Sequence, residues 1–429
     1  MIQALKNRDK KISITGLGYV GLQLAVAFAK HFAVIGFDID RKRVDQLQNK
    51  MDHTGELDQD AFEGCDLRFT HDPDDLKQAH FHIIAVPTDI DEYKTPDLKP
   101  LLNATLNIGH ILKPGDVVVF ESTVYPGCTE EECLPVLVQA SGLKAGVDFK
   151  YGYSPERINP GDKERRLQDI QKIVSGNDAE SLKLIGSVYS TVINAGLHYA
   201  TSIKVAEAAK AIENTQRDIN ISFINEMAIL FDKIGINTSE VIEAASTKWN
   251  FHSYQPGLVG GHCISVDPFY LIHKARQVDF FPQLIAAGRN VNDFIPHFIA
   301  KKVVQTLIEK GKNPGHCRVL VMGVTFKENV PDISYSKVID MVRELNSYSI
   351  SLDLIDPYAD SKEVEKRYGL LLKAQPDTGV YDAVIVAVGH QEFRALSPVE
   401  LKGFARDELL LFDIKGVYKV EGLDFYWKL

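Results

Sequence analysis

Two hydrophobic rhythms alternate along this chain of 429 residues. Short runs rich in Val, Ile and Phe are followed by stretches with apolar positions three and four apart, which is strand leading into helix. Lys11–Thr15, Ala33–Asp38, His82–Pro87, Val117–Phe120 and Phe149–Tyr153 read as strands, and Leu22–Lys30 as the first helix. This alternation predicts a doubly wound, mostly parallel sheet. From Ser202 to Lys233 turn residues nearly vanish, which predicts one helix of about 30 residues and about 45 Å. Ser202 suits its N-cap and Gly235 its stop, and Asn237–Glu240 offers a second cap. A helical section to about Gly311 follows. After Pro314 the first rhythm returns, with strands at Arg318–Gly323, Ile350–Asp356, Ala383–Gly389 and Leu409–Asp413. The expectation is an α/β protein: two α/β lobes flanking a helical connector.

Composition narrows the class. Hydrophobic residues make up 45% and charged residues 25%, an ordinary globular balance. The 48 basic and 58 acidic residues leave a charge of −10, without the basic character of a general nucleic-acid binder. No apolar run is long enough for a membrane helix, and the first residues lack the apolar core of a signal peptide. Cys65, Cys128, Cys133, Cys263 and Cys317 are scattered and odd in number, which fits reduced thiols of a cytoplasmic protein. Their spacing suits no zinc site, so no metal is expected.

The candidate chemistry begins at Gly16-x-Gly18-x-x-Gly21, with a strand before it, a helix after it and Asp38 ending the next strand. The first glycine permits a tight turn, the second a close approach of pyrophosphate and the third helix–strand packing. The helix N-terminus favours the diphosphate charge. Asp38 would accept hydrogen bonds from the adenosine ribose and repel a 2′-phosphate, which selects NAD over NADP. Glu121–Gly127 follows a strand, so Ser122 and Thr123 either contact cofactor or position water, or else cap a Pro-Gly turn. Glu156, also after a strand, is a general acid or base, an orderer of water, or a surface carboxylate beside Arg157.

Lys210 and Asn214 lie four apart on the long helix and share a face. The flanking alanines, Ala206, Ala208, Ala209 and Ala211, make a lean surface that favours burial of Lys210, and a buried lysine needs an anion or a developing oxyanion nearby. The most distinctive segment is Phe251–Pro268, where Gly260 and Gly261 deliver Cys263, with Asp267 four residues on. A thiolate is stabilised near a helix start, although a buried structural cysteine is the commoner case. Asp267-Pro268 also reads simply as N-cap and first helical residue. His262 adjoins Cys263, but adjacent side chains usually point apart.

Taken together these motifs resemble the UDP-glucose/GDP-mannose dehydrogenase family. The matching segments are Gly16–Gly21, Val86–Thr88, Glu121–Gly127, Ser154–Arg157, Lys210-x-x-x-Asn214, Gly260–Cys263 with Asp267, and Gly323–Lys327, in family order. The resemblance implies two Rossmann-like lobes joined by a helical domain with a long central helix: an NAD-binding domain at 1–200, a central dimerisation and catalytic domain at 201–311 and a UDP-binding domain at 312–429. It implies a four-electron oxidation of a sugar C6 alcohol to a carboxylate with two NAD. Cys263 would form a thiohemiacetal and then a thioester, Lys210 and Asn214 would stabilise the C6 oxyanion, and Asp267, Thr123 and Glu156 would handle water and protons. Gly16, Gly18, Tyr19, Val20, Gly21, Asp38, Arg43, Thr88, Ser122 and Thr123 would hold NAD. Glu156, Arg157, Lys210, Asn214, Phe251, Tyr254, Gly260 and Lys327 would hold the substrate.

Ser154–Gly161, Thr247–Phe251 and Leu258–Cys263 look most like the bacterial UDP-N-acetylhexosamine branch, acting on UDP-N-acetylglucosamine or its galacto epimer for capsule, Vi-antigen or O-antigen synthesis. Pro160 stands where UDP-glucose members often carry a second glutamate, and Thr247–Phe251 lacks their Arg-Ile-Gly, with Lys248 nearby. Ser334 replaces a common family arginine. Competing readings are a UDP-N-acetylmannosamine or UDP-glucose dehydrogenase, an inactive nucleotide-sugar binding protein, and a two-electron 3-hydroxyacid dehydrogenase. The last needs neither a catalytic cysteine nor a third lobe. The expected partners are a UDP-N-acetylhexosamine and a second copy of the chain, with no nucleic acid and no membrane.

Overall fold

The computed structural model describes residues 1–158, 165–419 and 421–429. The chain forms two compact units, Met1–Glu213 with Phe269–Phe280, and Asn214–Pro268 with Phe281–Leu429. The division falls inside the long helix.

In chain order the strands of the first unit are β1 (Lys11–Thr15), β2 (Val34–Phe37), β3 (Leu67–Thr70), β4 (Ala79–Ile84), β5 (Asp89–Ile90), β6 (Pro96–Asp97), β7 (Val117–Phe120), β8 (Lys150–Tyr153), β9 (Lys172–Gly176) and β10 (Leu197–Tyr199). Apart from the short β5–β6 hairpin they form one sheet in the order β10-β9-β8-β7-β4-β1-β2-β3. Its pairings are parallel except that of β8 with β9. The order reverses at β1, so the crevice beyond the carboxyl ends of β1 and β4 is the switch point where such sheets bind ligands. Ile12 and Ile14 are buried on one face and Ser13 and Thr15 on the other. Ser13 Oγ meets His82 Nδ1 at 2.7 Å, which satisfies a polar group that a central strand cannot expose.

The sequence predicts a strand at His82–Pro87, whereas β4 ends at Ile84. The Ala85 N–H still bonds Thr15 at 2.8 Å, but Pro87 has no N–H to continue the ladder. The sequence reading does not anticipate β3, β9 or β10, because none is long or strongly alternating.

The second unit carries β11 (Arg318–Met322), β12 (Ser351–Ile355), β13 (Ala383–Val386), β14 (Leu410–Asp413) and β15 (Phe425–Lys428), all parallel in the order β12-β11-β13-β14-β15. β13 stops before the predicted Gly389 because the Ala387 and Val388 N–H groups converge on the Met322 carbonyl, turning the chain out of the sheet. A core of Ile295, Ile299, Val303 and Leu307 from the helix Gln283–Glu309 packs with Val319, Val321 and Phe412.

The long helix runs from Ile203 to Ile234. Ser202 Oγ accepts the Val205 N–H at 3.2 Å, and Gly235 follows with φ +74°. Asn237 caps the next helix, Thr238–Ser246. No helix among the described residues is long and apolar enough to cross a membrane.

Candidate active site

In the first unit the Gly16–Gly21 turn is built by close packing. Gly16 has φ +93°, and a Cβ there would stand 2.6 Å from the Ala85 carbonyl; one on Gly21 would stand 1.8 Å from the Gly16 carbonyl. At Gly18 a Cβ would meet nothing within 4 Å, so the loop is open on the side where a phosphate would approach. Gly18 is the N-cap of the helix Tyr19–Ala29, which has no side-chain cap and no acid in its first turn. Its amide end, with Tyr19 and Val20, is left to an anion. Asp38 accepts the Leu17 N–H at 2.8 Å and the Asp40 N–H at 2.9 Å, so it braces the turn from the end of β2. Arg43 is buried: Nε donates to the Leu17 carbonyl at 2.9 Å, and the two terminal nitrogens meet His53 and Asp52 at 2.8 Å each. These features fit NAD.

Beyond β4 and β7, Thr88 Oγ1 donates to the Thr123 carbonyl at 2.6 Å, and Ser122 Oγ to the Val86 carbonyl at 2.7 Å. Both hydroxyls therefore knit the two loops at the switch point, and Thr123 itself is half-buried. Glu156 is buried; one carboxylate oxygen accepts the Arg157 N–H at 2.5 Å and also the Ile158 N–H. Arg157 pairs with Glu213 at 2.9 Å and donates to the Gln171 carbonyl at 2.6 Å. Pro160 lies outside the described residues. Lys210 is buried, as its alanine-rich flanks suggest, and no ion pair joins it to the described residues.

The second unit holds the cysteine. Gly261 has φ +86°, and a Cβ there would stand 2.7 Å from the Phe326 ring; one on Gly260 would stand 2.4 Å from the Tyr335 carbonyl. Only glycines let this loop lie so close to its neighbours. Cys263 then begins a tight turn in which its carbonyl accepts the Asp267 N–H at 3.0 Å, and the helix Asp267–Gln277 starts. Asp267 and Asn214 are both buried, and Asn214 Nδ2 donates to Asp267 Oδ2 at 2.5 Å. Phe251 and Tyr254 stand half-buried on the preceding loop, which Asn225 clamps by a reciprocal pair of bonds with Gly257.

Lys327 lines a shallow cleft with Leu258, Thr325, Phe326, Lys337 and Lys415. Lys337 is paired with Asp293 at 3.0 Å and Asp340 at 2.9 Å, and Lys415 with Glu328 at 3.1 Å, so part of the positive charge there is already balanced. Lys337 and Lys415 escaped the sequence reading because they belong to no motif. Ser334, which stands in place of a family arginine, accepts a bond from Arg367 at 3.0 Å.

Sequence reasoning also missed Lys172 and Glu207. Lys172 was detectable only as a charge opening an otherwise apolar strand. Glu207, in the alanine-rich part of the long helix, accepts the Gly127 N–H at 2.5 Å and the Thr129 N–H at 2.9 Å. Burial outweighs those bonds and pushes its carboxyl up to about 7.

A mostly parallel sheet with a glycine cradle at its switch point and an acid ending the next strand is the frame of a dinucleotide-dependent oxidoreductase, and its cofactor is NAD. The chain belongs to the UDP-glucose/GDP-mannose dehydrogenase family: residues 10–193 match its NAD binding domain, 204–294 its central domain and 320–420 its UDP binding domain. It is 49% identical to the UDP-N-acetyl-D-glucosamine 6-dehydrogenase of Salmonella typhi, over 97% of this chain and 98% of that one. It is 48% identical to the enzyme of the same name from Pseudomonas aeruginosa, over 95% and 97%. Among solved structures, the UDP-D-ManNAc dehydrogenase of Pyrococcus horikoshii is similar with a TM-score of 0.87 at 28% identity, over 97% of this chain and 98% of that one.

Proposed function

We propose that this protein is a cytoplasmic, dimeric UDP-N-acetylhexosamine 6-dehydrogenase that oxidises the C6 alcohol of UDP-N-acetylglucosamine, or its galacto epimer, to the uronic acid for surface-polysaccharide synthesis. The observation that carries the reading is Cys263, delivered by the Gly260–Gly261 turn within one helical turn of the buried Asn214–Asp267 pair. The identity to the Salmonella and Pseudomonas enzymes supports the hexosamine.

NAD would supply the hydride acceptor, two molecules bound in succession each taking one hydride. In the first unit, the turn at Gly16, Gly18 and Gly21 and the amide end at Tyr19 and Val20 would seat its diphosphate, and Asp38 its ribose, with Arg43 holding the Leu17 carbonyl beneath. Thr88, Ser122 and Thr123 would line the nicotinamide side. The domain roles are NAD binding for 1–200, dimerisation and catalysis for 201–311, and UDP binding for 312–429.

Cys263 attacks the C6 aldehyde and gives a thiohemiacetal, whose oxidation leaves a thioester for water to hydrolyse. Lys210, a buried cation without an ion-pair partner among the described residues, stabilises the C6 oxyanion together with Asn214. Asp267 orients Asn214. Glu156, with one oxygen pinned by backbone, acts as base toward water, and Thr123 orients that water. Lys327 meets the substrate diphosphate in the lysine-lined cleft. Gly260, Phe251, Tyr254 and Arg157 shape the sugar site.

The test is NADH formation with a panel of UDP-sugars. UDP-N-acetylglucosamine should yield two NADH per sugar, and Cys263→Ser should lower turnover by several powers of ten. A preference for UDP-N-acetylmannosamine or UDP-glucose, or release of a free aldehyde with one NADH, would reject this reading.

A further inference from the structure

Three neighbouring strands of the first unit bring charge to one buried point. Glu121 follows β7, Glu156 lies just beyond β8 and Lys172 opens β9. The Lys172 ammonium is 2.5 Å from Glu121 Oε2 and 3.6 Å from Glu156 Oε2, with the side chains of Lys172 and Glu121 3% and 0% exposed. Tyr189 donates to the other oxygen of Glu121, and its ring centroid lies 5.6 Å from the ammonium.

The two carboxylates are held differently. Glu121 is tied at both oxygens, to Lys172 and Tyr189. Glu156 is tied at Oε1 by the Arg157 and Ile158 N–H groups, while its buried Oε2 has no hydrogen-bond partner among the described residues. Such an atom is costly unless it has work to do. At 3.6 Å the ammonium attracts Oε2 without occupying its lone pairs. One cation is thus shared between two acids, and burial, reinforced by Glu156, pushes the Glu121 carboxyl up to about 7 against the pull of Lys172.

We infer that Lys172 is a positioning residue for thioester hydrolysis: anchored by Glu121, it supplies the buried counter-charge and fixed geometry with which Glu156 Oε2 takes a proton from the attacking water. The inference rests on the role proposed above for Glu156. In the step itself, the water oxygen bonds to C6, one of its protons passes to Oε2, and the C–S bond breaks with its electron pair leaving on Cys263 Sγ. No oxidation accompanies it. The first alcohol oxidation does not require this base.

The groups facing Glu156 in the first unit are Glu121, Lys172, Tyr189 and, on its own loop, Arg157 with its partner Glu213. The test follows NADH release and the intact mass of the enzyme for the wild type, Glu156→Gln, Lys172→Met, Lys172→Arg and the pair Lys172→Met/Glu121→Gln, which avoids leaving Glu121 a stranded buried carboxylate. With UDP-N-acetylglucosamine and NAD, the double variant should keep the NADH burst and accumulate an acyl adduct on Cys263. Its hydrolysis should slow by about 10- to 1000-fold, within the usual range for a general base. Lys172→Arg, which keeps the cation, should hydrolyse the adduct near the wild-type rate, whereas loss of a purely structural lysine would slow both oxidations alike. Wild-type hydrolysis in the double variant, or equal loss of both oxidations, overturns the role of Lys172. If Glu156→Gln accumulates the adduct and the double variant does not, only Lys172 is misassigned; if Glu156→Gln does not, the base role of Glu156 falls with it.

Discussion

At Asp38 one carboxylate braces the glycine turn through the Leu17 N–H, and in the function proposed above it also accepts hydrogen bonds from the adenosine ribose. Asp38→Ala should therefore narrow the preference for NAD over NADP and also weaken NAD binding, both read from KM for the two cofactors. Strong NADP use by the wild type would contradict this. Glu207 makes a prediction about stability. Its folded pKa of about 7 lies above the ordinary value of 4.5, so the folded state holds the proton longer than the unfolded chain. Its contribution is most favourable below about pH 4.5, declines as pH rises toward 7, and is level above that. Relative to Glu207→Gln, the wild-type melting temperature should fall between pH 5 and 8, and thermal melts of both proteins across that range check it.

Element ends repeat one construction in the two sheets. Gly16 at φ +93° follows β1, and Gly323 at φ +94° follows β11. Asp38 accepts the Leu17 N–H after one, and Asp356 accepts the Val324 N–H at 2.7 Å after the other. In each case an acid at the end of the neighbouring strand braces the turn. The cysteine loop relies on glycine for another reason, its contact with Phe326. Gly261→Ala should strain a left-handed residue, costing about 1–3 kcal/mol, and displace Cys263. Urea unfolding should show the loss, and turnover should fall further than UDP-sugar binding.

Over the whole molecule, the long helix leaves Val205, Ile212, Phe223, Leu230 and Ile234 exposed at near-whole-turn spacings along one side. An apolar stripe of that length on a helix is normally covered. A second copy of the chain is the occupant expected, so light scattering at micromolar concentration should give twice the chain mass. Phe223→Asp should shift the protein toward monomer, and a wild-type monomer would rule the dimer out.

Short-range chemistry was readable without coordinates. The Gly16–Gly21 turn, the Ser202 cap, the Gly235 stop and the glycines before Cys263 each depend on residues within a few positions, where φ limits and capping act. Burial of Lys210 followed from the alanines beside it. Long-range pairing was not readable: β9, β10 and β15 are short and take their places from neighbouring strands. The guanidinium of Arg43, a cofactor residue by the family resemblance, is engaged with Leu17, His53 and Asp52, partners that no local pattern announces. Sequence alone determined which chemical groups are present and how each local turn is made. Only the tertiary structure decided that Glu121, Glu156 and Lys172, distant along the chain, share one buried charge, because strand order and exclusion of water set that balance.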